Sequence, residues 1–134
     1  MPGKVFFDTN VLIYAVAEND SRGPRAEALL AAGGVVGVQV LNEFVSVARR
    51  KMRMPWKDVS EALDAIRVFC PSPAPITIST HEMALKIAEG HGYEIYDALV
   101  VAAALESGCA TLYSEDLQHG RVINGKLTIR NPFR

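Results

Sequence analysis

Short apolar runs alternate with longer stretches of helical periodicity along the chain. Val5-Phe6-Phe7 is a brief β-type run that stops at Asp8-Thr9-Asn10, residues suited to capping a helix over about Val11 to Ala17. Pro24 and Gly33-Gly34 bracket a second helix carrying Ala26, Leu29 and Leu30, and Val35 to Val38 reads as a second strand. Val40 to Met54 is amphipathic: at about 100° per residue, Val40, Leu41, Phe44, Val45, Val47, Ala48 and Met52 share one broad arc, opposite Asn42, Ser46, Arg49, Arg50 and Arg53. Pro55 ends that helix, and Trp56 to Phe69 supplies the next, with Val59, Leu63, Ile66 and Phe69 inward. Pro71, Pro73 and Pro75 exclude regular pairing and mark a connection.

Ile76-Thr77-Ile78 reads as a third strand. Ser79 then stands three residues before Glu82, a capping box for a helix to about Glu89, closed by Gly90 and Gly92. Ala98 to Glu106 is apolar on nearly every side, the mark of a central helix, with Gly108 placed to end it. Ala110 to Tyr113 reads as a fourth strand and Lys126 to Ile129 as a fifth, at the edge. Strands separated by helices predict a three-layer α/β/α domain around a central, mainly parallel sheet of about five strands. The 134 residues predict one domain over 1–134, large enough to bury a core without disulfides or a structural metal.

Composition narrows the function. With 14 basic and 15 acidic residues, the chain is neither a strongly cationic nucleic-acid binder nor a disordered acidic segment. The longest uncharged stretch, Ala28 to Asn42, contains three glycines and is too short to span a bilayer. Met1-Pro2-Gly3-Lys4 leads straight into a strand with no secretory signal, so a soluble cytoplasmic protein without a membrane partner is expected. Cys70 and Cys109, the only cysteines, show neither metal nor redox spacing.

In a parallel sheet, ligands bind outside the carboxyl ends of the strands. Asp8 follows the first strand, Asp116 lies just past the fourth, Asp97 opens the apolar helix and Glu43 lies early in the helix after the second strand. Singly, Asp8 and Asp97 read equally well as helix caps and Asp116 as a turn acid. Glu43 is harder to dismiss, because its neighbours at i±3 and i±4 are Gln39, Val40, Ser46 and Val47, none of them basic. Together the four form an unfavourable cluster: two like charges about 4 Å apart repel by roughly 4 kcal/mol at an effective dielectric near 20. A hard divalent cation removes that penalty. It can also activate water and stabilise the leaving oxygen of a phosphodiester. Without these four acids the balance is 14 basic against 11 acidic residues, mildly attractive to a polyanion.

The residues that carry this chemistry also carry a resemblance. Phe7-Asp8-Thr9-Asn10-Val11-Leu12-Ile13-Tyr14, Gln39-Val40-Leu41-Asn42-Glu43-Phe44, Tyr96-Asp97-Ala98-Leu99-Val100-Val101-Ala102-Ala103-Ala104, Tyr113-Ser114-Glu115-Asp116-Leu117 and Asn131-Pro132-Phe133 occur in order across nearly the whole chain. In this the sequence resembles PIN-domain ribonucleases, most of all the VapC toxins of bacterial toxin–antitoxin pairs. The resemblance implies a Mg²⁺- or Mn²⁺-dependent endoribonuclease, with Asp8, Glu43, Asp97 and Asp116 as catalytic metal ligands. The expected products carry a 5′-phosphate and a 3′-hydroxyl. It further implies an RNA substrate, a homodimer and inhibition by an antitoxin on a separate chain. Apolar surface on the first helices is the expected dimer seam, and an antitoxin is expected to send an Arg or Lys toward the carboxylates, displacing metal by direct pairing. Where some relatives carry a further acid, this chain has Leu117-Gln118-His119, which leaves one or two metals open and Glu115 as a substitute or assistant for Asp116.

Thr9, Asn10 and Ser114 are candidate supporting residues that orient a carboxylate or water; capping and turn roles explain them equally well. Arg49, Arg50, Lys51, Arg53 and Lys57 form the densest basic run, with Arg49, Arg50 and Arg53 as candidate RNA or antitoxin contacts. A solvated face or an antitoxin-covered surface is the first reading, because no aromatics interleave the charges. His81, His91 and His119 share no metal spacing, and only His119 lies near Asp116. Tyr14, Tyr93, Tyr96 and Trp56 are expected in the core or a dimer interface. Two rivals remain: an inactive PIN scaffold that holds RNA or protein, and a phosphatase with an aspartyl nucleophile at Asp8. The latter wants a second Asp two residues on, where this chain has Asn10.

Overall fold

The structure, a computed structural model, describes residues 3–134; Met1 and Pro2, part of the stretch read as lacking a secretory signal, lie outside them. Ten elements follow in order: β1 (Val5–Phe7), α1 (Thr9–Val16), α2 (Gly23–Ala31), α3 (Val38–Arg50), α4 (Trp56–Phe69), α5 (Ile78–His91), α6 (Ile95–Glu106), β2 (Thr111–Tyr113), β3 (Val122–Ile123) and β4 (Leu127–Arg130). The sheet order is β1-β2-β4-β3, parallel except for the β3–β4 hairpin. Successive strand side chains point to opposite faces, yet Phe6 and Phe7 are both fully buried, so helices cover both faces of the sheet. That is the three-layer architecture. Among the described residues, no helix is long and apolar enough to cross a membrane.

The sheet has four strands rather than about five, and the differences have local causes. Val35 pairs with β1 through single bonds (Phe7 N–H to Val35 O, 3.0 Å; Val35 N–H to Val5 O, 2.9 Å), after which Val36 and Val38 bond Ala74 instead. A segment divided between two neighbours builds bridges, not a ladder, and Val38 already opens α3. Ile76 and Ile78 are exposed, and Ile78 begins α5. Thr77, not Ser79, caps that helix: its hydroxyl accepts from Thr80 N–H, and the Thr80 hydroxyl accepts from Thr77 N–H in return. Gly92, in the left-handed conformation, ends it.

The unexpected strand is β3. Asn124 and Gly125 both have positive φ (52° and 65°), the centre of a turn of type I′ character closed by Lys126 N–H on Ile123 O (3.0 Å), and they fold Val122–Ile123 back onto β4. The apolar helix is central as expected: Ala98 and Val100 to Ala104 are all buried. Trp56 (61% exposed) and Tyr96 (60% exposed) are surface residues, so of the two places expected for them, core or dimer interface, the core is excluded. Cys70 and Cys109 are buried free thiols pushed up to about 11 by burial, which leaves them unreactive near neutral pH.

Candidate active site

The register of β1 and β2 determines who meets whom. Phe7 pairs with Tyr113, so the residues just beyond the two strand ends, Asp8 and Ser114, lie side by side, and Asp8 N–H donates to Tyr113 O at 3.0 Å. Asp8 is buried, 6% exposed, at the N-cap of α1. Its Oδ1 accepts from Thr9 N–H and its Oδ2 from the Ser114 hydroxyl, both at 2.7 Å. Ser114 is fully buried, and its Oγ also accepts from Asp116 N–H at 3.2 Å and Leu117 N–H at 3.3 Å. A hydroxyl has one proton and two lone pairs. With both lone pairs engaged by the turn, the proton has one destination, the Asp8 carboxylate.

The same turn places Asp116. Asn10 grips it twice, donating from Nδ2 to Asp116 Oδ2 and accepting Glu115 N–H at Oδ1, each at 3.2 Å. Glu43 is half-buried on α3, where the Thr9 hydroxyl and Gln39 Nε2 each donate to it at 2.9 Å. Gln39 also donates to Tyr96 O at 3.0 Å, tying α3 to the first turn of α6, where the next residue is Asp97. Asp97 does not cap that helix; Glu94 does, accepting from Tyr96 N–H at 3.1 Å. Gln39 was not singled out from sequence as a functional residue, although its i−4 spacing from Glu43 is the available signal.

The electrostatics link the acids in part: Asp8 and Asp97 each feel Glu43 and Asp116. Burial, with smaller contributions from Glu43 and Asp116, pushes the Asp8 carboxyl up to about 6 despite the opposing bonds from Ser114 and Thr9. Burial also raises Asp97, aided by Glu94, Asp116 and Glu43. Every side chain that donates to these carboxylates is neutral. Both ion pairs among the described residues belong instead to Arg22, with Asp20 (2.9 Å) and Glu115 (3.0 Å). Among the described residues, no three His, Cys, Asp or Glu side chains converge as a finished ligand set. The donor set nevertheless fits a hard divalent cation: all oxygen, one sign of charge, and a buried carboxyl with no countercharge.

Glu115 is engaged elsewhere. Its Oε1 accepts from the Tyr14 hydroxyl at 2.7 Å and from Arg22 Nη1 at 3.0 Å. Tyr14, pushed up to about 12 by burial and Glu115, keeps its proton to donate. His119 accepts Asn131 N–H at Nδ1 (2.9 Å). The basic run divides: Arg49 lies over the Trp56 ring, 4.4 Å from its centroid, and donates to Met54 O at 2.9 Å, whereas Arg50 and Arg53 are exposed. Contrary to the expectation that no aromatic interleaves these charges, Trp56 stands between Arg53 and Lys57, and its ring packs under Arg49.

The PIN domain family matches residues 5–124, and the chain belongs to that family. No curated protein matches the sequence. Among solved structures, the chain resembles the Mycobacterium tuberculosis VapC20, a "Sarcin-Ricin loop cleaving toxin", with a TM-score of 0.69 at 23% identity over 84% of this chain and 90% of that one. A toxin–antitoxin complex from Klebsiella pneumoniae gives 0.73 at 16% identity, covering 97% of this chain and 98% of that one. VapBC2 from Rickettsia felis, bound to a DNA fragment from its promoter, gives 0.65 at 18% identity over 95% and 97%. The fold is therefore that of the VapC-type PIN domains.

Proposed function

We propose that this chain is a metal-dependent endoribonuclease and the toxin of a toxin–antitoxin pair. The observation that carries the reading is Asp8: a buried carboxyl beside Glu43 and Asp116, held by neutral donors with no countercharge. The fold shared with toxins, one of them described as cutting the sarcin–ricin loop, supports it and favours a structured RNA.

Asp8, Glu43, Asp97 and Asp116 would hold Mg²⁺ or Mn²⁺; when bound, the ion supplies charge stabilisation to the phosphodiester and lowers the pKa of water. The chain's other residues set the frame. Ser114 holds Asp8 and closes the turn before Leu117, Thr9 and Gln39 orient Glu43, and Asn10 orients Asp116. An amide at position 10 that donates to Asp116 cannot serve as a general acid, which weighs against the aspartyl phosphatase.

Arg50 is the best-placed phosphate contact. It lies seven residues beyond Glu43 on α3, which at ~100° per residue returns it to the same face about 10 Å along the axis. Arg50→Ala is expected to raise the RNA KM about threefold to tenfold and lower the salt slope of binding by about one, with Tm and metal affinity unchanged. An unchanged salt slope in a fluorescence-anisotropy titration would remove Arg50 from the substrate path.

The homodimer and the separate antitoxin remain part of the proposal, the antitoxin supported by the two solved toxin–antitoxin relatives. The deciding experiment is incubation of a mixed cellular RNA pool with the purified protein plus Mg²⁺ or Mn²⁺, with an excess-EDTA arm. Discrete metal-dependent fragments with 5′-phosphate ends are expected. Absence of both cleavage and metal binding would favour the inactive scaffold.

A further inference from the structure

Glu115 precedes a proposed metal ligand, yet its carboxylate is held by a cluster outside the four acids. Arg22, at the end of the α1–α2 connection, donates from Nη1 to both Glu115 oxygens, at 3.0 and 3.3 Å. The same nitrogen donates to the Tyr14 hydroxyl at 2.8 Å, and that hydroxyl donates to Glu115 Oε1 at 2.7 Å. The guanidinium is fixed from behind as well. Nε and Nη2 donate to the two Asp20 oxygens at 2.9 Å, and the carbon of the fork lies 3.6 Å from the centroid of the Tyr14 ring. Phe133 packs edge-on against Tyr14, with centroids 5.2 Å apart. A planar fork gripped at both ends holds its partner in one orientation, which an ammonium cannot do.

This assembly governs a short turn. Glu115 N–H donates to Asn10 Oδ1, so the residue is anchored by backbone and side chain on either side of its Cα. Asp116 follows immediately. Its own side chain has a single bond, the 3.2 Å contact from Asn10, and is exposed. Asn10 and the Ser114 hydroxyl hold Asp116 directly, through its side chain and its N–H, and the anchoring of Glu115 adds the constraint on the turn that presents it.

We propose that Arg22 is a positioning residue of the acidic site, which acts through Glu115 to fix the turn that carries Asp116. The inference rests on the metal-dependent reading above. It gives Glu115 a role other than that of a substitute ligand. Charge pairing alone would be served by lysine, whereas positioning requires the fork.

The test is Mn²⁺ binding by the full chain, followed by electron paramagnetic resonance, for the parent, Arg22→Lys, Glu115→Gln, Asp116→Asn and the Arg22→Lys/Asp116→Asn double variant. Removing a group that orients a ligand typically costs 10–100-fold in metal affinity, and Arg22→Lys is expected to lose about tenfold. Glu115→Gln, which keeps the side-chain shape and gives an independent route should Arg22→Lys fold poorly, is expected to lose severalfold. In the double variant the loss should equal that of Asp116→Asn alone, because a residue acting through Asp116 has nothing left to position. With RNA, Arg22→Lys should lower kcat and leave KM unchanged.

Additive losses in the double variant would overturn the proposal, as would parental Mn²⁺ affinity in both Arg22→Lys and Glu115→Gln. Those outcomes leave the metal site standing provided that Asp116→Asn itself weakens Mn²⁺. If Asp116→Asn binds Mn²⁺ like the parent, the metal reading fails and the positioning role fails with it.

Discussion

Asp8→Asn is expected to lower metal-dependent RNA cleavage by at least ~10³-fold while making the metal-free protein more stable. The carboxyl has its usual pKa of 3.8 in the unfolded chain and about 6 in the fold, chiefly through burial. A shift of about two units corresponds to about 3 kcal/mol. Because the folded value is the higher one, the favourable contribution is fully present below about pH 3.8 and is lost as the pH rises through about 6. At pH 7.5 the metal-free protein therefore carries a buried charge that asparagine lacks.

Asparagine presents an amide NH₂ where one carboxylate oxygen accepts from Thr9 or Ser114, which gives back about 1 kcal/mol. The net gain is about 2 kcal/mol, a rise of about 5 °C in Tm with EDTA present at pH 7.5. Between pH 5 and 7.5 the parent should lose stability through Asp8 while the variant does not. Thermal melts at the two pH values, run beside the RNA assay, decide the matter. Retained turnover, or a lower metal-free Tm at pH 7.5, would contradict the role given to Asp8.

Gly34→Ala is the substitution expected to damage the fold most for its size. A Cβ at position 34 would stand 2.6 Å from Phe7 Cε2, 2.9 Å from Val5 Cγ2 and 3.0 Å from Val5 O. Phe7 is fully buried, so its ring has nowhere to go, and the Val5 oxygen is committed to Val35 N–H. Relief requires segment 34–36 to retreat from β1, breaking the bonds on both sides of Val35. A loss of about 2–3 kcal/mol is expected, or roughly 5–10 °C in Tm. Gly90→Ala is the control: a Cβ there meets nothing within 4 Å, and alanine within α5 should stabilise by about 0.5–1 kcal/mol. A Gly34→Ala variant that melts like the parent would contradict the close approach of residues 34–36 to β1.

Gly34 also shows where reading the chain alone stops. With Gly33 it reads as the end of a helix, a local role. Its close approach to Phe7 involves a residue 27 positions earlier and carries no local signature. The same holds for the strands that do not form. Val35 to Val38 has β propensity, but ladders need a partner with matching free groups, and Val36 and Val38 find theirs at Ala74. The hairpin at Asn124-Gly125, by contrast, has a local signature, since Asn-Gly after the apolar pair Val122-Ile123 is a strong turn signal.

Helix periodicity and the places where strands end are local properties, set by side-chain spacing and by which residues leave backbone groups to cap. Those properties alone locate Asp8, Glu43, Asp97 and Asp116 near one edge of a largely parallel sheet, and the order of motifs along the chain points to the PIN family to which it belongs. The tertiary structure decided the rest. It placed Asp8 against Ser114 through the register of β1 with β2, and it gave Glu43 neutral partners in Thr9 and Gln39. It also turned Glu115 away to Arg22 and Tyr14. Each of these pairings depends on direction and burial between residues far apart in the chain or on separate turns, and such geometry exists only once the layers have packed.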